Sequence, residues 1–160
     1  MDIKEIGAGA AVIIGGVVYG VSSGGLGEAL SSEVRHVREV PYEERAAYMD
    51  EITTEFAENF EYYIVQTETF DYVGHSKFTS NPAKAMFAET VRSEERVPRD
   101  EIKKIKAQFE VGFCEQDEMT MFTKKGWSYD FKVMDGEGRR IFTVLCQADL
   151  SELNADGAIG

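Results

Sequence analysis

The run IGAGAAVIIGGVVYGVSSGGLG, from Ile6 to Gly27, holds 22 residues without a charge, about the 20 that a helix needs to cross a hydrocarbon core. Seven of those up to Leu26 are glycine: Gly7, Gly9, Gly15, Gly16, Gly20, Gly24 and Gly25. In water that composition disfavours a helix, since each glycine costs about 1 kcal/mol relative to alanine. In a bilayer the backbone must satisfy its own hydrogen bonds, and the helix is enforced. The sequence therefore predicts a transmembrane helix over residues 1–27. Gly16, Gly20 and Gly24 form a G-x-x-x-G-x-x-x-G stripe on it, smooth enough for another helix to pack closely. A cleaved signal peptide is the main competitor. Its leading MDIKEI would offer Lys4 against Asp2 and Glu5, a poor positive start. A packed helix of a soluble domain is the third option.

The rest of the 160-residue chain has the patterning of one folded domain. SSEVRHVREV predicts a linker helix within residues 28–41, capped by Ser31 or Ser32, with Val34, Val37 and Val40 along one side. Pro41 starts a second helix with Glu43 and Glu44 in its first turn, and Met49, Ile52, Phe56, Phe60 and Tyr63 recur on one face. Aromatic and β-branched residues then predict a strand over 67–78, a turn at SNPAK and a strand in AMFAETV. A further helix follows Pro98, with Ile102, Ile105, Phe109 and Phe113 on one stripe. In WSYDFKVM, Trp127, Tyr129, Phe131 and Val133 point one way; DGEG makes a hairpin turn, and RRIFTVLC returns antiparallel. The expected class is α+β: a small antiparallel sheet domain over residues 42–147, ordered α-β-β-α-β-β with its helices on one face, and a flexible tail over 148–160.

A net charge of -12 argues against nucleic acid as a partner, because the basic residues are scattered among acids. Of the two histidines, His36 lies in a charged stretch and His75 follows Gly74; neither has a cysteine or second histidine at metal-ligand spacing. Glu115, Asp117 and Glu118 could bind a divalent cation, as could Asp135-Gly136-Glu137-Gly138, although the latter lacks the alternating ligand pattern and the bidentate Glu of a calcium loop. Solvated turns explain both. Trp127 and Tyr129 read as core residues rather than an exposed aromatic platform. No serine stands in a nucleophile motif. The sequence thus predicts no catalytic, cofactor-binding or metal site.

Cys114 ends a predicted helix, and Cys146 ends the last predicted strand on the same side as Phe142 and Val144. If that strand lies under that helix, the sulfurs can meet. The other reading is two reduced thiols in the core.

The stretches FCEQDEM…KKGWSYDFKVMDGEGRRIFTVLC and NFEYYIVQTETFDYV resemble a group of small bacterial exported or membrane-anchored domains of uncharacterised function. In that group a helix ends in Cys, an acidic turn and Gly follow, and a Tyr-rich strand, a D-x-x-G turn and a closing Cys complete the pattern. The resemblance spans residues 57–147 and implies a Cys114–Cys146 disulfide and an extracytoplasmic location. It brings no catalytic residues. Arg35, Arg38 and Arg45 after the uncharged run, against Lys4 before it, lean the other way on the positive-inside rule. With the implied disulfide set above that count, the expected location is the bacterial inner membrane with the domain in the periplasm. The expected function is a non-catalytic accessory subunit. Its glycine-faced helix would pack into a membrane protein complex or a homo-oligomer, while the acidic domain contacts partner proteins. A pilin-like filament subunit and a small secreted enzyme or ligand-binding domain are the alternatives. A prepilin leader is missing for the first, and a pocket around His75 would be needed for the second.

Overall fold

The computed structural model describes residues 11–14, 17–21, 34–59, 62–66, 71–93, 96 and 98–151. Its organising feature is the strict alternation along strand β6 (Ser128–Met134), where Tyr129, Phe131 and Val133 are buried and the residues between them are half-buried. Side chains on a strand alternate between faces, so one face of β6 builds the core. Strand β7 (Arg140–Cys146) adds Phe142, Val144 and Cys146 to it, and β5 (Met86–Ser93) adds Phe87 and Val91. Strand β4 (Asp71–Asn81) flanks β5, and β3 (Tyr62–Gln66) flanks β4.

Among the described residues three α-helices cover the buried face. Helix α1 (Tyr42–Asn59) lies on β4 and buries Met49, Ile52 and Phe56. Helix α2 (Arg99–Cys114) lies on β7 and buries Ile105 and Phe113; the short α3 (Asp117–Lys124) buries Met119 and Phe122 beside β6. The α+β class and the single helical layer are as the sequence predicts. An aromatic cluster joins the layers: Phe87 stands 5.8 Å from Phe56, 5.4 Å from Phe122 and 5.5 Å from Trp127, centroid to centroid.

Four expectations need correction. The sheet is mixed, not antiparallel. β5 and β6 run parallel, Met86 facing Ser128 through Arg92 facing Met134, while β4–β5 and β6–β7 are antiparallel. The chain between them carries both α2 and α3, and a helical crossover that returns to the starting end of the sheet makes the next strand parallel. The α1 pattern also ends early. Tyr63 belongs to β3, because the aromatic and β-branched YYIVQ favours a strand over another helical turn; Phe60 lies outside the described residues. The predicted strand over 67–78 is therefore the second of a pair, β3 and β4. Of the linker helix over 28–41, the described part is one 3-10 turn, Val37–Glu39, in an otherwise extended strap.

The fourth correction concerns the uncharged run. Over the residues described, the predicted transmembrane helix is instead two strands, β1 (Ala11–Ile14) and β2 (Val17–Val21). They pair antiparallel, and β2 pairs with β3, extending the sheet to the order β1-β2-β3-β4-β5-β6-β7. Val12, Ile13, Ile14, Val17 and Val18 favour extended backbone, and the residues between Ile14 and Val17 in sequence are Gly15-Gly16, a pair that two-residue hairpin connections favour. Gly20 faces Ala11 on one side and Ile64 on the other; Gly16 and Gly24 lie outside the described residues, as do residues 1–10 and 22–33. Among the described residues no helix is long and apolar enough to cross a membrane.

The strap over residues 34–40 is bound tightly. Val34 and Val40 are buried, Trp127 donates its indole N–H to the Arg35 carbonyl at 2.8 Å, and the Val37 N–H donates to the Lys125 carbonyl at 2.8 Å. Lys125 Nζ donates to the Val34 carbonyl. The close approach depends on Gly126, whose φ of +87° suits a residue without a side chain. A Cβ there would lie 2.4 Å from Val37 Cγ1. Gly126→Ala is therefore expected to destabilise the domain by about 2 kcal/mol or more, from left-handed strain plus the clash. A chemical-denaturation midpoint equal to that of the wild type would contradict this packing.

Candidate interaction site

Helix α1 divides its residues sharply. Its inner face sits on β4, and its outer face exposes Glu43, Glu44, Asp50, Glu51 and Glu58, with Glu55 half-buried. Arg45 is the one basic residue in the helix, and it is turned inward towards the carbonyls of Pro82 and Val37, 3.5 Å from each, with its guanidinium over the Tyr42 ring. The charges on the outer face are thus all acidic, with the exposed Ala46, Ala47, Thr54 and Ala57 among them. Like charges so placed repel one another and are stabilised by a cationic partner.

A rigid base carries this face. Cys114 at the end of α2 and Cys146 at the end of β7 form a disulfide with Cα atoms 5.3 Å apart, inside the range a bridge requires. The sequence-based condition, that the last strand lies under that helix, is met. The bond closes the segment from the end of α2 through α3, β6 and β7 on itself.

Three buried polar residues among those described, Glu89, Glu101 and Thr123, were not singled out from sequence, and Glu89 is the most deeply buried. Glu89 on β5 is fully buried between Phe87 and Val91 on the helix-covered face. Its Oε1 accepts from the Ser76 hydroxyl and its Oε2 from the Tyr129 hydroxyl, each at 2.7 Å. The strand parity of FAETV is the signal that could have found it, because an acid at an inward position needs donors nearby. Ser76 comes from β4 and Tyr129 from β6, so the carboxyl ties three neighbouring strands together.

The other candidate residues have structural duties. His36 caps the 3-10 turn, its Nδ1 accepting from the Arg38 N–H at 3.2 Å while its own N–H donates to Glu39. His75 faces Tyr62 and Arg92 in the sheet register. Trp127 is fully buried and Tyr129 nearly so, as core residues. Asp117 and Glu118 occupy the first turn of α3, where negative charge is favoured, and Glu115 ends α2. Asp135 organises the β6–β7 hairpin: its Oδ1 accepts from the N–H groups of Glu137 and Arg139, and its Oδ2 pairs with Arg139 Nε at 2.8 Å. The Arg139 side chain accordingly holds the Asp135 carboxyl below its ordinary pKa. Gly138 supplies the positive φ that the turn needs, while Glu137 pairs with Arg139 Nη2. Among the described residues no group of three or more His, Cys, Asp or Glu could hold a metal ion. The tail expected to be loose is held at its start, where Ala148 donates to Ser128 Oγ and Asp149 to the Thr123 carbonyl; residues 152–160 lie outside the described set.

No protein-family model matches this chain, and no curated protein does. Among solved structures, the crystal structure of a candidate secreted protein from Pseudomonas aeruginosa is similar, with 9% sequence identity and a TM-score of 0.47 over 66% of this chain and 90% of that one.

Proposed function

We infer that this chain is an extracytoplasmic, non-catalytic accessory subunit that presents the acidic outer face of α1 to a basic surface of a partner protein. The acidic face is the observation that carries the reading, since it joins a net charge of -12 to one ordered surface. The disulfide supports the compartment: such bonds persist in oxidising surroundings, the periplasm or the cell exterior, and are rare in the cytosol. Exposed charge pairs act mainly through long-range attraction and association rate. Replacing Glu43, Glu51 and Glu58 together with lysine should therefore abolish partner co-purification at low salt. Wild-type association should fall steeply as salt is raised past about 0.15 M. Partner recovery unchanged in the triple variant would reject the reading.

A second reading rests on the 22 uncharged residues from Ile6 to Gly27. In it they form a helix in the bacterial inner membrane, with Gly16, Gly20 and Gly24 towards a membrane complex and the domain in the periplasm. Residues 11–14 and 17–21 cannot be both strands in a soluble sheet and turns of a membrane helix. Alkaline carbonate extraction decides between them. Retention in the membrane pellet selects the anchor, and release into the supernatant selects the hairpin.

A further inference from the structure

The sheet has a second face, turned away from the helices. Ser76, Phe78, Glu89, Val91, Phe131 and Val133 take inner positions on β4, β5 and β6. Alternation along the strands therefore turns Lys77, Ala88, Thr90, Arg92 and Lys132 outward. In register, Thr90 on β5 faces Lys77 on β4 and Lys132 on β6. Ala88 and Thr90 are half-buried, whereas Lys77 and Arg92 are exposed. The small pair on β5 is thus the floor of a shallow trough, with a lysine on each flank and Arg92 towards one end. Two strand spacings separate the flanks, about 10 Å. Asp130 beside the trough is paired with Lys132 at 2.8 Å. Lys77 and Arg92 form no ion pair among the described residues.

The outer face of α1 has the matching pattern. Residues seven apart fall nearly in line on a helix. Ala47 and Thr54 make a seam of small side chains, with Glu43 and Asp50 along one flank and Glu51 and Glu58 along the other. At about 100° per residue each acidic row stands about 40° from the seam, so the carboxylates spread across a helix about 10–12 Å wide. That width matches the separation of the two lysine strands. All four acids are exposed, and none forms an ion pair among the described residues.

We propose that α1 of one copy of this chain docks in the open-face trough of a second copy. Ala47 and Thr54 lie against Ala88 and Thr90, and the acidic rows reach Lys77 and Lys132, with Arg92 beyond them. The occupant is a second copy because the chain itself carries an acidic helix of the width and charge that the trough takes. It cannot use that helix on itself, since its own α1 lies on the opposite face of the sheet, over β4. The contact joins different surfaces of the two copies, so it adds copies head to tail. This inference rests on α1 as the docking face of the proposed accessory subunit and names the partner as the same chain.

Sedimentation velocity of the full chain, in mild detergent if it requires one, tests the proposal. The net charge of -12 on each copy opposes the contact, so species larger than the monomer are expected at about 200 µM and should be lost on dilution. Ala47→Trp fills the seam without altering a charge and should weaken association by about tenfold or more. The trough variant Lys77→Glu/Arg92→Glu and the helix variant Glu43→Lys/Glu51→Lys/Glu58→Lys should each be monomeric, with unchanged far-ultraviolet dichroism spectra. Mixed in equal amounts, these two should associate again, because each surface then meets its opposite. A mixture no more associated than its components overturns the proposal, as does association that Ala47→Trp leaves intact. A monomeric wild type that still recovers a different protein through α1 overturns this inference alone. A helix variant that changes neither partner recovery nor self-association overturns the proposed function with it.

Discussion

Replacing Cys114 and Cys146 together with serine or alanine is expected to lower the stability of the domain by about 3–4 kcal/mol. The bond joins residues 32 apart in sequence. Closing a loop of that size removes denatured-state entropy equivalent to about 3–4 kcal/mol in the chain-entropy model. For a chain of this length that corresponds to a fall in Tm of about 8–14 °C. The effect should be reproduced in the wild type by reductant, and reductant should do nothing further to the double variant. Cys146 is buried and Cys114 half-buried, so alanine at both positions avoids leaving a buried hydroxyl. If unfolding curves of the wild type with and without reductant superimpose, the bond contributes no constraint and the closed α3-β6-β7 loop is misdescribed.

Glu89→Ala should cost a similar amount, about 3–5 kcal/mol, for a different reason. Removing the carboxyl leaves the Ser76 and Tyr129 hydroxyls buried without that acceptor, at about 1–3 kcal/mol for each, and opens a cavity beside Phe87 and Phe131. Glu89→Gln keeps an acceptor oxygen for one hydroxyl and should cost less than half as much. Tyr129→Phe removes one donor and should cost about 1–2 kcal/mol. Combined with Glu89→Gln, its cost should be less than the sum of the two single changes, because they share one hydrogen bond. Denaturant titration of the four variants checks the order. A Glu89→Ala protein as stable as the wild type would show that the carboxyl ties nothing together.

The parts of this fold that were legible in the sequence are those where one periodicity acts alone. In WSYDFKVM the two-residue alternation fixes the buried face of β6. The spacing of Met49, Ile52 and Phe56 does the same for α1. The Cys114–Cys146 bond was legible as one of two readings, since both residues end elements whose packing those periodicities set, and the resemblance to exported domains implied it. Trouble began where two principles compete. In FEYYIVQ, aromatic residues continue the helical spacing and also favour a strand, and β pairing decided for β3. In the uncharged run, apolar content and length speak for a bilayer, whereas β-branched pairs around Gly15-Gly16 speak for a hairpin, and composition cannot choose the solvent. The direction of β6 relative to β5 depends on where the α2–α3 crossover returns, which no local pattern encodes.

The candidate surfaces divide along the same line. Acidity was plain from composition, but its concentration on the outer face of α1 required the inward turn of Arg45. Glu89 was visible as an acid in a strand and invisible as a buried one until β4 and β6 supplied Ser76 and Tyr129. Lys77, Arg92 and Lys132 are scattered in sequence, and only the strand register reveals that they share one trough.

The reading as a whole requires a sulfur–sulfur bond formed outside the reducing interior of the cell. Intact-mass measurement after alkylation, on the chain isolated from its own host under conditions that trap free thiols, tests this most directly. The expected result is no alkyl group on Cys114 or Cys146 without reductant and one on each after reduction. Both residues alkylated without reductant would place the domain among reducing surroundings and contradict the assignment.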